Sequence, residues 1–153
     1  MTLFLFPDFI YICFLMMTMM DAFDKIIRKE LSCLFKAIEH RMTPEDMKRI
    51  KAAYQLARRA HKPQIRKTGE PYIIHPIAVA RIIGEELQLG VNPIMAAFLH
   101  DVVEDTPYTV EDIRKRFGDD VAFLVRVVTK EKKEHYEMSK QLDNFKQMLD
   151  SVQ

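Results

Sequence analysis

A chain of 153 residues, 48% apolar and 29% charged, is long enough to bury one hydrophobic core and has the composition of an ordinary globular domain. Its 23 Lys and Arg against 22 Asp and Glu leave a net charge of +1, which excludes binding of a long nucleic acid by bulk electrostatics. Two isolated cysteines, Cys13 and Cys33, exclude a disulfide scaffold or zinc knuckle and point to a reducing, cytoplasmic compartment, while four glycines without a Gly-rich loop exclude a P-loop or dinucleotide fold.

Residues 1–20, MTLFLFPDFIYICFLMMTMM, form a segment apart, far more apolar than the rest of the chain. They carry no early positive charge and no small-residue cleavage site, so they do not read as a secretory signal. Pro7 and Asp8 interrupt the apolar run, which makes a span marginal against the roughly 20 continuous apolar residues that a membrane requires. A translation start at Met19 or Met20 is the favoured reading, ahead of a membrane-surface anchor and of an element packed on the domain. No membrane partner is expected, and residues 21–153 are expected to form the domain itself.

Asp21 with Asp24 predicts a helix start, after which Phe23, Ile26, Ile27, Leu31, Leu34, Phe35 and Ile38 follow helical spacing. Thr43-Pro44-Glu45-Asp46 predicts the next helix, with a capping threonine, proline at the first helical position and early acids. Its apolar face runs through Met47, Ile50, Tyr54, Ala57 and Ala60. Pro63, Gly69 and Pro71 make a loop of the stretch from His61 to Tyr72. Pro76 predicts a further helix start, with Ile77, Ala80, Ile83 and Leu87 facing inward, and Asn92-Pro93 another that Pro107 stops after Asp105. Thr109 with Asp112 is a capping signal, Gly118 suits a helix end, and Val121, Leu124, Val125 and Val128 continue the pattern. A solvated connection is expected from Lys130 to Glu134 and a last helix through Leu142, Phe145 and Leu149. No alternating strand pattern occurs, so the predicted fold class is all-α.

The helix after Pro93 carries the chemistry. Ile94, Met95, Ala96, Ala97, Phe98, Leu99, Val102 and Val103 predict a buried core helix, and into it the sequence sets His100, Asp101, Glu104 and Asp105. Positions i, i+1, i+4 and i+5 share one continuous face, which gathers an imidazole and three carboxylates. Burying unpartnered carboxylates is costly, and negative charge near a helix C-terminus opposes its dipole. A divalent cation relieves both, and mixed imidazole and carboxylate donors suit Mn²⁺, Fe²⁺ or Zn²⁺ better than Ca²⁺. On spacing alone a solvated acidic helix tip fits as well. His75, at the start of a neighbouring helix, is a candidate to meet His100, although a helix cap or a satisfied core histidine is the commoner role. Arg66 and Lys67, beside Thr68, supply local positive charge suited to a phosphorylated ligand.

QIRKTGEPYIIHPIAVA, from Gln64 to Ala80, resembles the hydrolase-domain signature of the RelA/SpoT family, and FLHDVVEDT, from Phe98 to Thr106, resembles its HD motif. The Phe117-Gly118 step, Val127-Val128-Thr129-Lys130 and Asn144-Phe145-Lys146-Gln147-Met148-Leu149 also match, so the resemblance runs from about Pro44 onward. It implies an HD-domain helical bundle and a manganese-dependent hydrolase that releases pyrophosphate from the 3′ position of the guanosine nucleotide (p)ppGpp, with no nucleic acid polymer as partner. It assigns His75, His100 and Asp101 to the metal (Mn²⁺, or another divalent transition ion) and Glu104 and Asp105 to catalysis as acids that orient or deprotonate water. Arg66, Lys67 and Thr68, the last where the family often has serine, fall in the nucleotide pocket.

The family's fourth metal ligand, an aspartate in a later helix, finds no matching motif before Gln153; neither Asp143 nor Asp150 stands in one. The expectation is therefore an incomplete bundle, weakly active or inactive by itself. A stand-alone HD phosphohydrolase acting on another nucleotide such as NADPH, and a non-catalytic remnant that binds nucleotide or a partner helix, are the alternatives.

Overall fold

The computed structural model describes residues 6–129, and the expected Lys130–Glu134 connection and final helix lie outside them. Among the described residues six α-helices succeed one another: α1 (Phe6–Ile38), α2 (Pro44–Ala60), α3 (Ile74–Arg81), α4 (Val91–Asp105), α5 (Val110–Phe117) and α6 over residues 119–129. The described residues contain no strand, only an isolated antiparallel bridge between Ile65 and Pro71, so the all-α reading holds.

Helix α1 runs straight through Asp21, which corrects the start expected there. A single solvated Asp lowers helix propensity by only about 0.7 kcal/mol at most, and the Met, Leu and Phe on either side carry the helix past it. Only the second half of α1 is packed. Residues 10–22 are exposed on every side, whereas Ile27, Leu34 and Ile38 are buried. Among the described residues no helix is long and apolar enough to cross a membrane.

Helix α2 begins as its sequence dictates. Thr43 Oγ1 accepts from the Asp46 amide at 3.1 Å and Asp46 Oδ2 accepts from the Thr43 amide at 3.0 Å, a reciprocal cap with Pro44 at the first helical position. The Thr43 amide first, and the Thr43 side chain second, hold the Asp46 carboxyl below its ordinary range. Thr109 and Asp112 repeat the device at the head of α5, with amide bonds of 3.2 and 2.8 Å. Gly118, at φ 94°, then takes the left-handed conformation that separates α5 from α6.

Helix α3 opens at Ile74, two residues before the expected start at Pro76. Proline is tolerated in a first turn because those amides have no intrahelical partner. The helix then loosens into a π turn, Ile82–Glu86, and this shift of register rotates Leu87 outward to 59% exposure, contrary to its expected inward place. Gly84, within the π turn, sits close against α1: a Cβ there would lie 2.9 Å from Leu34 Cδ1 and 3.1 Å from Ile38 Cγ2. Gly84→Ala is expected to destabilise the fold by about 1–3 kcal/mol through overpacking, read as a lower midpoint in urea unfolding; an unchanged midpoint would contradict this close approach. Two arginines tie the same region together. Arg41 donates to Leu89 O at 2.7 Å and Gly84 O at 2.6 Å, and Arg81 joins Glu30 of α1 to Glu85 at 2.6 Å.

Helix α4 is the centre of the core. Ile94, Met95, Phe98, Leu99 and Val102 are fully buried, and the Phe98 ring meets Tyr54 of α2 edge-on with centroids 5.8 Å apart. Val121, Ala122 and Val125 of α6 and Ile113 of α5 close the far side.

Candidate metal centre

The two halves of the site come from α3 and α4, which pack against each other. His75 stands second in α3; His100 and Asp101 stand late in α4, on the side where that helix turns from core toward solvent. His100 Nδ1 donates to the Ala97 carbonyl at 2.7 Å, a partner within its own helix, and this leaves Nε2 as the ring nitrogen that faces Asp101. Nε2 of His100 lies 3.1 Å from Asp101 Oδ1, and Nε2 of His75 lies 3.6 Å from Asp101 Oδ2. One donor atom from each of His75, His100 and Asp101 falls within 4.8 Å of the other two. Two donors on one ion at about 2.1 Å each stand at most about 4.2 Å apart, so a small inward movement of a side chain brings all three donors onto a divalent transition ion. Exposure falls across the trio, from 38% for the His75 side chain to 13% for His100 and 0% for Asp101.

The acidic face predicted on α4 divides in two. Asp101 is buried, but Glu104 and Asp105 are exposed, because the helix surfaces one turn later. The desolvation penalty that argued for a cation therefore attaches to one carboxylate. Glu104 and Asp105 stand one turn beyond the donors, where solvent and a ligand can both reach them.

Arg66, Lys67 and Thr68 lie exposed on the loop between α2 and α3. Arg66 pairs with Glu70 at 2.7 Å, and Gly69, at φ 88°, lets its amide donate to Arg66 O at 2.8 Å in the tip turn. The base of this loop is fastened to the acidic end of α4. Gln64 Nε2 donates to Asp105 O at 3.1 Å, Tyr72 N donates to Gln64 O at 3.1 Å, and the Tyr72 hydroxyl donates to Asp101 Oδ2 at 2.6 Å. Behind Tyr72 sits His61, 2% exposed, its ring 4.7 Å from the Tyr72 ring and its Nδ1 donating to Gln64 Oε1 at 2.8 Å.

Sequence reasoning missed Tyr72, His61 and Gln64 because they read as parts of a loop. The available signal was an amphipathic Tyr three residues before His75, since a tyrosine packed beside a buried carboxylate seeks an acceptor for its hydroxyl. Burial, with Asp101 and then Asp105 beside it, pushes the Tyr72 phenol well above its usual range, so it is a donor at neutral pH. On the other side of His100 an apolar cavity of about 170 Å³ opens between α3, α4 and α6, lined by Val79, Ile83, Ala97, Leu124 and Val128.

Residues 53–152 match the family described as HD domain. The chain is similar to the bifunctional (p)ppGpp synthase/hydrolase SpoT of Escherichia coli strain K12, with 49% identity over 109 residues that cover 69% of this chain and 15% of the relative. It is 46% identical over 106 residues to the guanosine-3′,5′-bis(diphosphate) 3′-pyrophosphohydrolase of Aquifex aeolicus, covering 69% of this chain and 15% of that one. Against a GTP pyrophosphokinase of Streptomyces coelicolor the identity is 46% over 105 residues, covering 67% and 12%. Thus the chain matches only about 15% of the length of these curated relatives. A solved structure described as a metazoan ortholog of SpoT that hydrolyzes ppGpp superposes with a TM-score of 0.51 at 42% identity, covering 53% of this chain and 47% of that one. With its family match running from the middle of α2 onward, and with an all-helical fold that brings two histidines and an aspartate together, the chain belongs to the HD-domain family.

Proposed function

We propose that this chain hydrolyses guanosine 3′,5′-bis(diphosphate) to GDP and pyrophosphate, using a divalent metal held by His75, His100 and Asp101. The observation that carries the reading is the convergence of those three donors within 4.8 Å at the junction of α3 and α4. The imidazole and carboxylate donor set suits Mn²⁺, Fe²⁺ or Zn²⁺ better than Ca²⁺, and it is the family resemblance that points to Mn²⁺ among them. When bound, such an ion supplies Lewis acidity and makes water a stronger acid near neutral pH.

The chain's own groups do the rest. Glu104 and Asp105, exposed one turn beyond Asp101, orient the attacking water and accept its proton. Arg66 and Lys67, on a loop whose base is bonded to Asp101 and Asp105, bring positive charge to the diphosphate, and Thr68 offers a hydroxyl to the nucleotide. Unbridged cysteines, Cys13 and Cys33, suit a cytoplasmic setting in which the nucleotide is present.

The test is incubation of the chain with guanosine 3′,5′-bis(diphosphate) and Mn²⁺, followed by product separation. Slow release of GDP and pyrophosphate in equal amounts is expected, in a reaction that stops when the metal is chelated. Release of single phosphates would overturn the assignment, and metal-dependent binding without any product would replace it with a nucleotide-holding role.

A further inference from the structure

The Tyr72 hydroxyl touches the buried carboxylate of the trio without belonging to it. We propose that Tyr72 is a positioning residue of the metal centre: by donating to Asp101 Oδ2 at 2.6 Å it engages one carboxylate oxygen and leaves Oδ1, beside His100 Nε2 at 3.1 Å, as the oxygen offered to the ion. The proposal deepens the metal reading given above and rests on it.

Two kinds of observation support the assignment. The first is that the hydroxyl is held in place from several directions. The Tyr72 ring lies between His61, at 4.7 Å, and His75, at 5.9 Å, and its backbone amide is bonded to Gln64 O. His61 is itself buried and fixed by Gln64, whose amide group also reaches the Asp105 carbonyl. The second is chemical. Asp101 is completely buried, so the direction in which its two oxygens point is set by protein donors rather than by bulk water. A carboxylate with one oxygen engaged in a short bond to a phenol ligates through the other. One-oxygen ligation suits transition ions with short bonds, whereas Ca²⁺ takes six to eight oxygens and can recruit a carboxylate through both. Tyr72 thereby acts on which ion the site prefers as well as on how tightly it holds it. The contact with Asp105 Oδ2, at 3.5 Å, is too long to fix that second carboxylate in the same way.

The experiment compares the whole chain with Tyr72→Phe, each titrated calorimetrically with Mn²⁺ and separately with Ca²⁺, with far-ultraviolet circular dichroism of both metal-free proteins. Y72F is expected to keep its helical spectrum and lose roughly tenfold to a hundredfold in Mn²⁺ affinity, the usual effect of removing a hydrogen bond to a metal ligand. Its Ca²⁺ affinity should hold or rise, so that the preference for Mn²⁺ over Ca²⁺ narrows. A merely structural hydroxyl would weaken both ions equally, and that result, or an unchanged Mn²⁺ affinity, overturns the proposal. Loss of the fold in Y72F would overturn it too, since the hydroxyl would then be serving the metal-free core. Failure of the unaltered chain to take up Mn²⁺ would bring down the metal reading itself, whereas tight binding unchanged by Y72F removes only the role of Tyr72.

Discussion

Replacing His100 with alanine is expected to lower Mn²⁺ affinity by more than about a hundredfold, beyond the range seen when only a bond to a ligand is removed, so that calorimetry detects no stoichiometric binding. The reason lies in how few donors converge. His75, His100 and Asp101 supply one atom each, and His100 is the member whose Nε2 is aimed by its own Nδ1–H bond to Ala97 O. His100→Ala removes that donor and leaves an imidazole and a carboxylate with no third group from α4. Alanine is the strongest helix former, and the site is at the edge of the core, so α4 keeps its path. A normal circular dichroism spectrum together with lost binding would therefore locate the effect at the site. Unchanged stoichiometry would count decisively against these three residues as the metal's ligands.

Phe98→Ala is expected to destabilise the protein by about 3–5 kcal/mol, the largest stability loss of any change considered. Phe98 is completely buried on α4, two residues before His100, and its ring is met edge-on by Tyr54 of α2. Truncation removes both the transfer energy of the ring and the aromatic contact, and leaves a void that the surrounding core can only partly fill. Urea unfolding followed at 222 nm would read the loss as a lower midpoint with little change in slope. A loss below about 1 kcal/mol would mean that the α2–α4 contact is not the heart of the core.

The parts of the fold that local chemistry dictates were legible in the chain. Thr43 and Thr109, each followed three residues later by Asp, announced two helix starts that the structure reproduces, and the apolar run from Ile94 to Val102 announced the buried helix. Residue spacing left His75 only a candidate to meet His100; the family resemblance grouped it with His100 and Asp101, and the three donors do lie together. What escaped was decided by contacts distant in sequence. The π turn before the outward Leu87 contains Gly84, which closes on Leu34 and Ile38, far earlier in the chain. The burial of Asp101 without Glu104 and Asp105 depends on where α4 leaves the core, which periodicity does not specify. Tyr72 and His61 gained their places from the fold of the loop, and no spacing rule connects a loop tyrosine to a helical aspartate 29 residues on.

Helix α1 also has two unequal ends. From Ile27 onward it is pinned by buried leucine and isoleucine side chains and by the Arg81 bridge to Glu30, so its later amides can open only when the core does. Ahead of Phe23, residues 10–22 are all exposed, and a helix of that length without tertiary support unwinds and reforms by itself. Amide exchange should thus be graded within one continuous helix, and a backbone cut in its early turns would sever the apolar end while sparing every buried contact of the domain.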